Sequence, residues 1–163
     1  MKTLLKNGTI VDGSGGKPYV SDVLIENDKI TKIAKDIDAA DAEVIDCTGL
    51  TVAPGFIDAH SHNDFFYDYD DAERFYEPFI RQGITTQITG NCGFSPFGVD
   101  KNTKYKDKVG GGLFHAKNPG SFKDFVKNAE GKLYVNIVPL IGHGTTRIST
   151  VSYTHLTLPT TPY

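Results

Sequence analysis

Two histidines one residue apart, His60 and His62, lie at the end of the apolar run PGFIDAHSHND. Side chains two residues apart on a β-strand point to the same face, whereas on an α-helix they lie about 200° apart. A strand therefore places both imidazoles where they can bind one metal ion. Asp58 and Asp64 fall on the same face if the strand runs straight, where a carboxylate could orient an imidazole or contact a substrate. Two surface or packing histidines are the alternative interpretation.

A cysteine with free space around its sulfur follows the next predicted strand. Cys92 lies in GNCG, directly after ITTQIT, and its flanking glycines leave the thiol uncovered. Because the carboxyl ends of parallel strands meet at one rim, we expect Cys92 to face His60 and His62. A thiolate is a soft anionic ligand that suits zinc and can bridge two ions. The alternative, a small buried hydrophobic residue, is the interpretation that we give to Cys47.

Candidate substrate-binding residues follow the third predicted strand, in LIGHGTTR. His143 could polarise a substrate carbonyl, hold an oxyanion, bind metal or serve only the structure, and the sequence leaves these roles open. Arg147 could pair with a substrate carboxylate, although a solvated arginine is the common outcome. With Asp64, these two residues form the predicted substrate-binding set. His115, in a loop rich in glycine and lysine, is expected to be exposed.

The pattern of predicted secondary structure changes near residue 54. Residues 1–53 are dense in short β patterns, with Asn-Gly and Asn-Asp pairs at expected turns, and predict a small sheet module. Residues 54–150 alternate between strand and helix patterns. The predicted strands of this part are GFIDAHSH, ITTQITGNCG and KLYVNIVPLIGHG. Strand, helix, strand, helix, strand is typical of a parallel sheet covered on both faces.

Capping residues and glycines predict where the helices of residues 54–150 begin and end. DAERFYEPFIRQG has apolar residues at helical spacing and stops at Gly83. Residues 94–120, rich in glycine, proline and lysine, predict a long surface loop. Ser121 then caps a second helix, with Asp124 at the capping-box position and Gly131 at its end.

Composition favours a soluble protein with a small-molecule partner. The 163 residues are 39% hydrophobic, and 17 basic against 20 acidic side chains give a net charge of -3. No Lys/Arg run indicates nucleic acid, and no apolar run is long enough for a membrane span or a signal peptide, so we expect a cytoplasmic protein. Two cysteines are too few for a disulfide framework.

The last segment, VSYTHLTLPTTPY at 151–163, has no charged residue and fits no helix period. Back-translation of VSYTHLTLPT gives a string that resembles the adaptor of transposon-based sequencing libraries. We therefore expect the natural sequence to stop near Thr150 and give no functional weight to His155. A genuine short metal-binding protein ending at Tyr163 is the alternative.

The motifs NGTIVDGSG, APGFIDAHSHND, GITTQITGNCG and VPLIGHGTTR, in this order, resemble the N-terminal part of the N-acyl-D-amino-acid deacylases (D-aminoacylases) of the amidohydrolase superfamily. The resemblance covers roughly residues 3–149. It implies an α/β fold: the first three or so strand–helix units of a truncated (β/α)8 TIM barrel, preceded by part of a small β-sandwich module. The combination of HxH with GNCG is what points to this branch.

By this resemblance, His60 and His62 bind zinc and Cys92 serves a centre of one or two ions. The implied reaction is hydrolysis of an N-acyl-D-amino acid to a carboxylate and a D-amino acid. Two further histidines and the catalytic aspartate of the family have no counterpart in this sequence, so we expect the chain alone to be inactive. A hydantoinase- or dihydroorotase-type hydrolase and a non-catalytic metal-binding protein are the rival hypotheses.

Overall fold

The computed structural model describes residues 1–100, 102–109 and 115–151. The chain divides into two compact units, Met1–Pro54 and the remainder from Gly55 onward. The segment predicted to derive from an adaptor lies outside the described residues, except for Val151. No helix in the described part is long and apolar enough to cross a membrane.

The first unit is a five-stranded sheet. Its strands are β1 (Lys2–Ile10), β2 (Tyr19–Glu26), β3 (Lys29–Ala34), β4 (Glu43–Asp46) and β5 (Thr51–Val52). The order is β3-β2-β1-β4, with β5 also paired to β1. The two hairpins are antiparallel, whereas β4 and β5 run parallel to β1. The predicted β module is thus confirmed as a sheet.

One of the two predicted turns in this unit is wrong. Asn27 and Asp28 do form the tight turn between β2 and β3, with Asn27 at φ 58°. Asn7 and Gly8 instead lie inside β1, where the register with β2 shifts and Asn7 adopts φ 61°. An Asn-Gly pair suits a β-bulge as well as a turn because both need a residue with positive φ.

A buried carboxylate stabilises this bulge. Asp22 is only 3% exposed. It accepts the backbone N–H of Asn7 at 2.8 Å and that of Ile37 at 3.0 Å. One side chain thereby satisfies two backbone donors and joins the bulge to the loop after β3.

The second unit is built on a parallel sheet, as predicted. Its strands β6 (Phe56–Ser61), β7 (Ile84–Thr89) and β8 (Asn136–Pro139) lie in that order. Its helices are α1 (Glu73–Ile80), α2 (Phe122–Ala129) and α3 (His143–Val151), with short 3₁₀ helices at Asn63–Phe65 and Lys106–Lys108. Each parallel connection between these strands contains a helix, as such crossovers require.

The predicted helix boundaries of α1 and α2 are confirmed. Gly83 adopts φ 79° three residues after α1. Ser121 caps α2, and its hydroxyl and the Asp124 side chain form the reciprocal capping box. Gly131 follows α2 with φ 72°. The third strand, predicted over residues 132–144, is shorter, since β8 ends at Pro139 and α3 follows.

Aromatic side chains form the core of the second unit. Tyr76 on α1 is fully buried and donates its hydroxyl to the Asn63 carbonyl at 2.7 Å. Phe97, from the long loop, packs against Phe125 of α2 with ring centroids 4.5 Å apart and the rings tilted by 39°. The loop after β7 is therefore packed into the core along part of its length rather than lying wholly on the surface.

Replacing Asp22 with alanine is expected to lower the free energy of unfolding by about 2 kcal/mol, because the buried N–H of Ile37 and the partly buried N–H of Asn7 both lose their acceptor. Urea denaturation followed by circular dichroism measures this loss. Asp38→Ala is the matched control, because Asp38 is exposed in the same loop as Ile37. Equal unfolding midpoints for the two variants would contradict the role given to Asp22.

Candidate metal centre

Three side chains converge at the carboxyl ends of β6 and β7. His60, His62 and Cys92 each offer one ligand atom, and these atoms lie within 4.8 Å of one another. The Cys92 Sγ is 3.2 Å from the His62 Nε2, although the residues are 30 positions apart in sequence. Among the described residues this is the one such group of three or more potential ligands.

The donor set fits zinc. Structural and catalytic zinc sites use imidazole nitrogen and thiolate sulfur. Tetrahedral bonds of about 2.3 Å to sulfur and 2.05 Å to nitrogen keep two such donors roughly 3.5 Å apart. The 3.2 Å separation of Cys92 Sγ and His62 Nε2 is close to that value. His60 and Cys92 are exposed and His62 is half-buried, so an ion has access to the group.

Electrostatics favour the form of His62 that binds metal. Burial lowers the pKa of His62 below its ordinary value, and the neighbouring His60 lowers it further. A histidine must be neutral to bind a cation through its ring nitrogen. The environment of His62 therefore favours the ligating form at neutral pH.

The loop that carries Cys92 is held by backbone contacts. Gly93 donates its N–H to the Gly90 carbonyl at 3.0 Å, which closes a turn around Cys92. The Gly93 carbonyl accepts the N–H of Thr145, in the first turn of α3, at 3.1 Å. A Cβ on Gly142 would lie 2.6 Å from the same carbonyl, and one on Gly90 would collide with the Leu140 carbonyl. Close approach of two backbones thus fixes this loop.

A buried pair of hydroxyl residues joins the same loop to α3. The Thr145 hydroxyl accepts the Ser95 N–H and donates to the Ser95 carbonyl, both at 2.9 Å. The Ser95 hydroxyl donates to the Phe97 carbonyl and accepts the Gly142 N–H. Ser95 and Thr145 are fully buried. Our sequence analysis missed this pair, because a serine and a threonine 50 residues apart carry no local pattern.

The expectation that Asp64 continues the face of His60 and His62 is wrong. β6 ends at Ser61, and Asp64 lies in the 3₁₀ helix that follows, with none of its surface exposed. Burial raises the pKa of Asp64 to about 7, a rise that the nearby Thr89 hydroxyl opposes. The position of Asp64 therefore does not suit direct contact with a substrate. Asp58 instead accepts the backbone N–H of His60 at 3.1 Å.

The structure places His143 and Arg147 on α3 rather than at a strand end. His143 is the first residue of this helix and is exposed, and it does not belong to the ligand group. Gly142 and Gly144 on either side of it approach the backbone of Gly93, so His143 lies on the same rim as the Cys92 loop. Arg147, one turn further along, is half-buried.

Two side expectations are confirmed. Cys47 is 6% exposed, as expected for a core thiol. His115 is exposed, and its backbone carbonyl accepts the Tyr69 hydroxyl at 2.8 Å.

The chain is similar to known proteins over most of its length. Residues 43–117 match the model of the amidohydrolase family. The N-acyl-D-aspartate deacylase of Alcaligenes xylosoxydans xylosoxydans is 35% identical over 155 residues, which are 93% of this chain and 30% of that protein. A dihydroorotase of Streptococcus thermophilus is 54% identical, but over 59 residues, which are 36% of this chain and 14% of that enzyme.

A solved structure matches nearly the whole chain. It is the N-acyl-D-glutamate deacylase of Bordetella bronchiseptica, complexed with zinc and a phosphonate that mimics the tetrahedral intermediate. The TM-score is 0.70 at 25% identity, covering 90% of this chain and 30% of that one. The chain therefore belongs to the amidohydrolase family, and it spans about 30% of the length of these deacylases.

The three-residue group is expected to bind zinc, and Cys92→Ser or His60→Ala is expected to weaken binding about tenfold or more because each removes one ligand. Competition against a chromogenic chelator measures the affinity. With cobalt in place of zinc, the thiolate-to-metal absorption band should vanish in Cys92→Ser. Cys47→Ala is the control, and loss of the band in that variant instead would contradict the assignment.

Thr145→Val is expected to lower the free energy of unfolding by about 2 kcal/mol, since a valine of the same shape leaves the Ser95 backbone groups buried without their partner. Urea denaturation measures the change. Thr146→Val is the control, because Thr146 is exposed and its hydroxyl donates to the Gly142 carbonyl one turn earlier on the same segment. A Thr145 variant as stable as this control would refute the role of the buried pair.

Proposed function

We propose that this chain supplies the first metal ligands of a zinc-dependent hydrolase that cleaves the amide bond of N-acyl-D-amino acids. The observation that carries the proposal is the convergence of His60, His62 and Cys92 within 4.8 Å. Similarity to two deacylases, over 93% and 90% of the chain, supports the substrate class. The products are a carboxylate and a free D-amino acid.

In this proposal His60, His62 and Cys92 hold one or two zinc ions. Bound zinc polarises the amide carbonyl and lowers the pKa of a water molecule, and it thereby supplies the nucleophile at neutral pH. The two imidazoles bind in their neutral form. As a ligand, the exposed Cys92 would supply a thiolate whose negative charge would reduce the net charge of the centre.

Substrate binding is proposed for α3. In this proposal His143, exposed at the start of the helix, donates a hydrogen bond to a substrate oxygen. Arg147 is one turn away and offers a guanidinium for the carboxylate that every N-acylamino acid carries. Asp64, which is buried in the 3₁₀ helix after β6, is not included among the proposed substrate contacts, although the sequence predicted it there.

The fold proposed for the whole protein is a (β/α)8 barrel with a small β-sandwich, of which β6 to β8 are the first barrel strands. Phe56 and Ile57 on β6 are 65% and 66% exposed, and within the described residues β6 pairs only with β7. The open edges and the three-ligand group support the expectation that this polypeptide alone binds zinc weakly.

A dihydroorotase-type reaction is the second candidate. The observation that favours it is the 54% identity to a dihydroorotase over 59 residues. Against it stand the shorter match and Cys92, whose thiolate fits the donor set of the deacylase proposal. Both reactions hydrolyse an amide carbon–nitrogen bond. The activity assay must therefore include N-acyl-D-amino acids and dihydroorotate as substrates.

The 163-residue chain is expected to show no turnover of N-acetyl-D-amino acids at saturating zinc, because the described residues bring only three ligands together. The full-length product, from a gene resequenced across codon 150 with long reads, is expected to hydrolyse the D-enantiomers and not the L-enantiomers. Release of the free amino acid measures both.

Activity of the full-length product is expected to fall at least about a hundredfold in Cys92→Ala, with Cys47→Ala unchanged. Turnover of dihydroorotate without turnover of N-acetyl-D-amino acids would favour the second candidate. Zinc binding without any hydrolysis would indicate the non-catalytic alternative. Turnover by the 163-residue chain that is lost in Cys92→Ala would refute the predicted inactivity.

A further inference from the structure

The peptide group between Ala59 and His60 lies where the pairing of β6 with β7 is interrupted. The regular register stops at Asp58 and resumes at Ser61. A backbone C=O and N–H inside such an interruption must find partners outside the ladder. This interruption directly precedes a metal-ligand candidate, so whatever replaces the ladder there also positions that ligand.

Two side chains provide the replacement. The Asn91 Nδ2 donates to the Ala59 carbonyl at 2.8 Å, and the His60 N–H donates to the Asp58 Oδ1 at 3.1 Å. Both groups belong to one peptide plane, which is rigid. Fixing that plane on its two sides fixes the direction in which the His60 side chain leaves the backbone.

Asn91 is also the residue before Cys92. Its side chain therefore connects the backbone next to one ligand with the backbone next to another. On the far side of Cys92, the Gly93 carbonyl accepts the Thr145 N–H of α3 at 3.1 Å. The Cys92 loop is thus held to α3 at one end and to β6 at the other.

We propose that Asn91 is a positioning residue that sets the spacing of His60 and Cys92 for the metal ion. This inference rests on the metal site of the proposed function and adds a residue to it. Without the Asn91 side chain, the loop keeps its contacts with α3 and loses its hydrogen bond to the Ala59 carbonyl of β6, so the Cys92 sulfur can move away from the imidazoles.

The test uses the full 163-residue chain with Asn91→Ala and Asn91→Asp. Zinc affinity is measured by chelator competition, and the thiolate-to-cobalt absorption band reports the geometry of the sulfur. Both variants are expected to bind zinc about tenfold more weakly and to show an altered cobalt band. The aspartate keeps the shape and adds a negative charge that alone would strengthen cation binding, so weaker binding shows the loss of the N–H donor.

Asn136→Ala is the matched control. Asn136 is an exposed asparagine whose Nδ2 donates to the Thr85 carbonyl at 3.2 Å, and it likewise joins two strands of this sheet. Its zinc affinity and cobalt band are expected to match the wild type. Circular dichroism checks the fold, and Asn91→Asp carries the test if Asn91→Ala does not fold.

Wild-type zinc affinity and an unchanged cobalt band in both Asn91 variants would overturn the inference. His60→Ala and Cys92→Ser, titrated in parallel, separate this failure from failure of the metal site itself. If these two weaken binding and the Asn91 variants do not, only the role of Asn91 is refuted. If they also bind like the wild type, the metal site and the inference resting on it both fall.

Discussion

Parallel pairing of β6, β7 and β8 is the constraint on which the ligand group depends. In a parallel sheet every strand ends at the same edge, so residues that follow successive strands become neighbours however far apart they are in sequence. His62 follows β6 and Cys92 follows β7, and their ligand atoms come within 3.2 Å. α3 begins after β8 and brings His143 to that rim. The clustering of potential ligands at this edge is thus a consequence of strand direction.

Sequence reasoning succeeds where a local pattern has one structural solution. Alternation along β6 and the position of Cys92 after β7 were enough to predict that His60, His62 and Cys92 converge. The capping box of Ser121 and Asp124 and the glycine stops after the helices were predicted for the same reason. In each case the residue types and their spacing specify a backbone conformation without help from distant parts of the chain.

Where the outcome depends on distant contacts, the sequence was insufficient. α3 contains several threonines, isoleucine and glycine, which have low helix propensity, and it is stabilised by tertiary contacts, since Thr145 bonds to Ser95 in the loop after β7 and Ile148 is fully buried. Asp64 leaves the strand face because the chain turns into a 3₁₀ helix after Ser61. The Asn-Gly pair of β1 becomes a bulge because Asp22 binds Asn7 there. The residues that stabilise α3 and the bulge are distant in sequence from the segments they bind.

The backbone approaches at Gly90 and Gly142 restrict how this rim can diversify. A side chain at either position would overlap a carbonyl of the facing loop, Leu140 for one and Gly93 for the other. A side chain therefore cannot be introduced at either position unless the facing backbone moves. Side chains can vary at neighbouring exposed positions, such as His143, while the glycines keep the backbone of the rim constant. Positions where a side chain can vary therefore lie directly beside glycines whose backbone is fixed by its contacts.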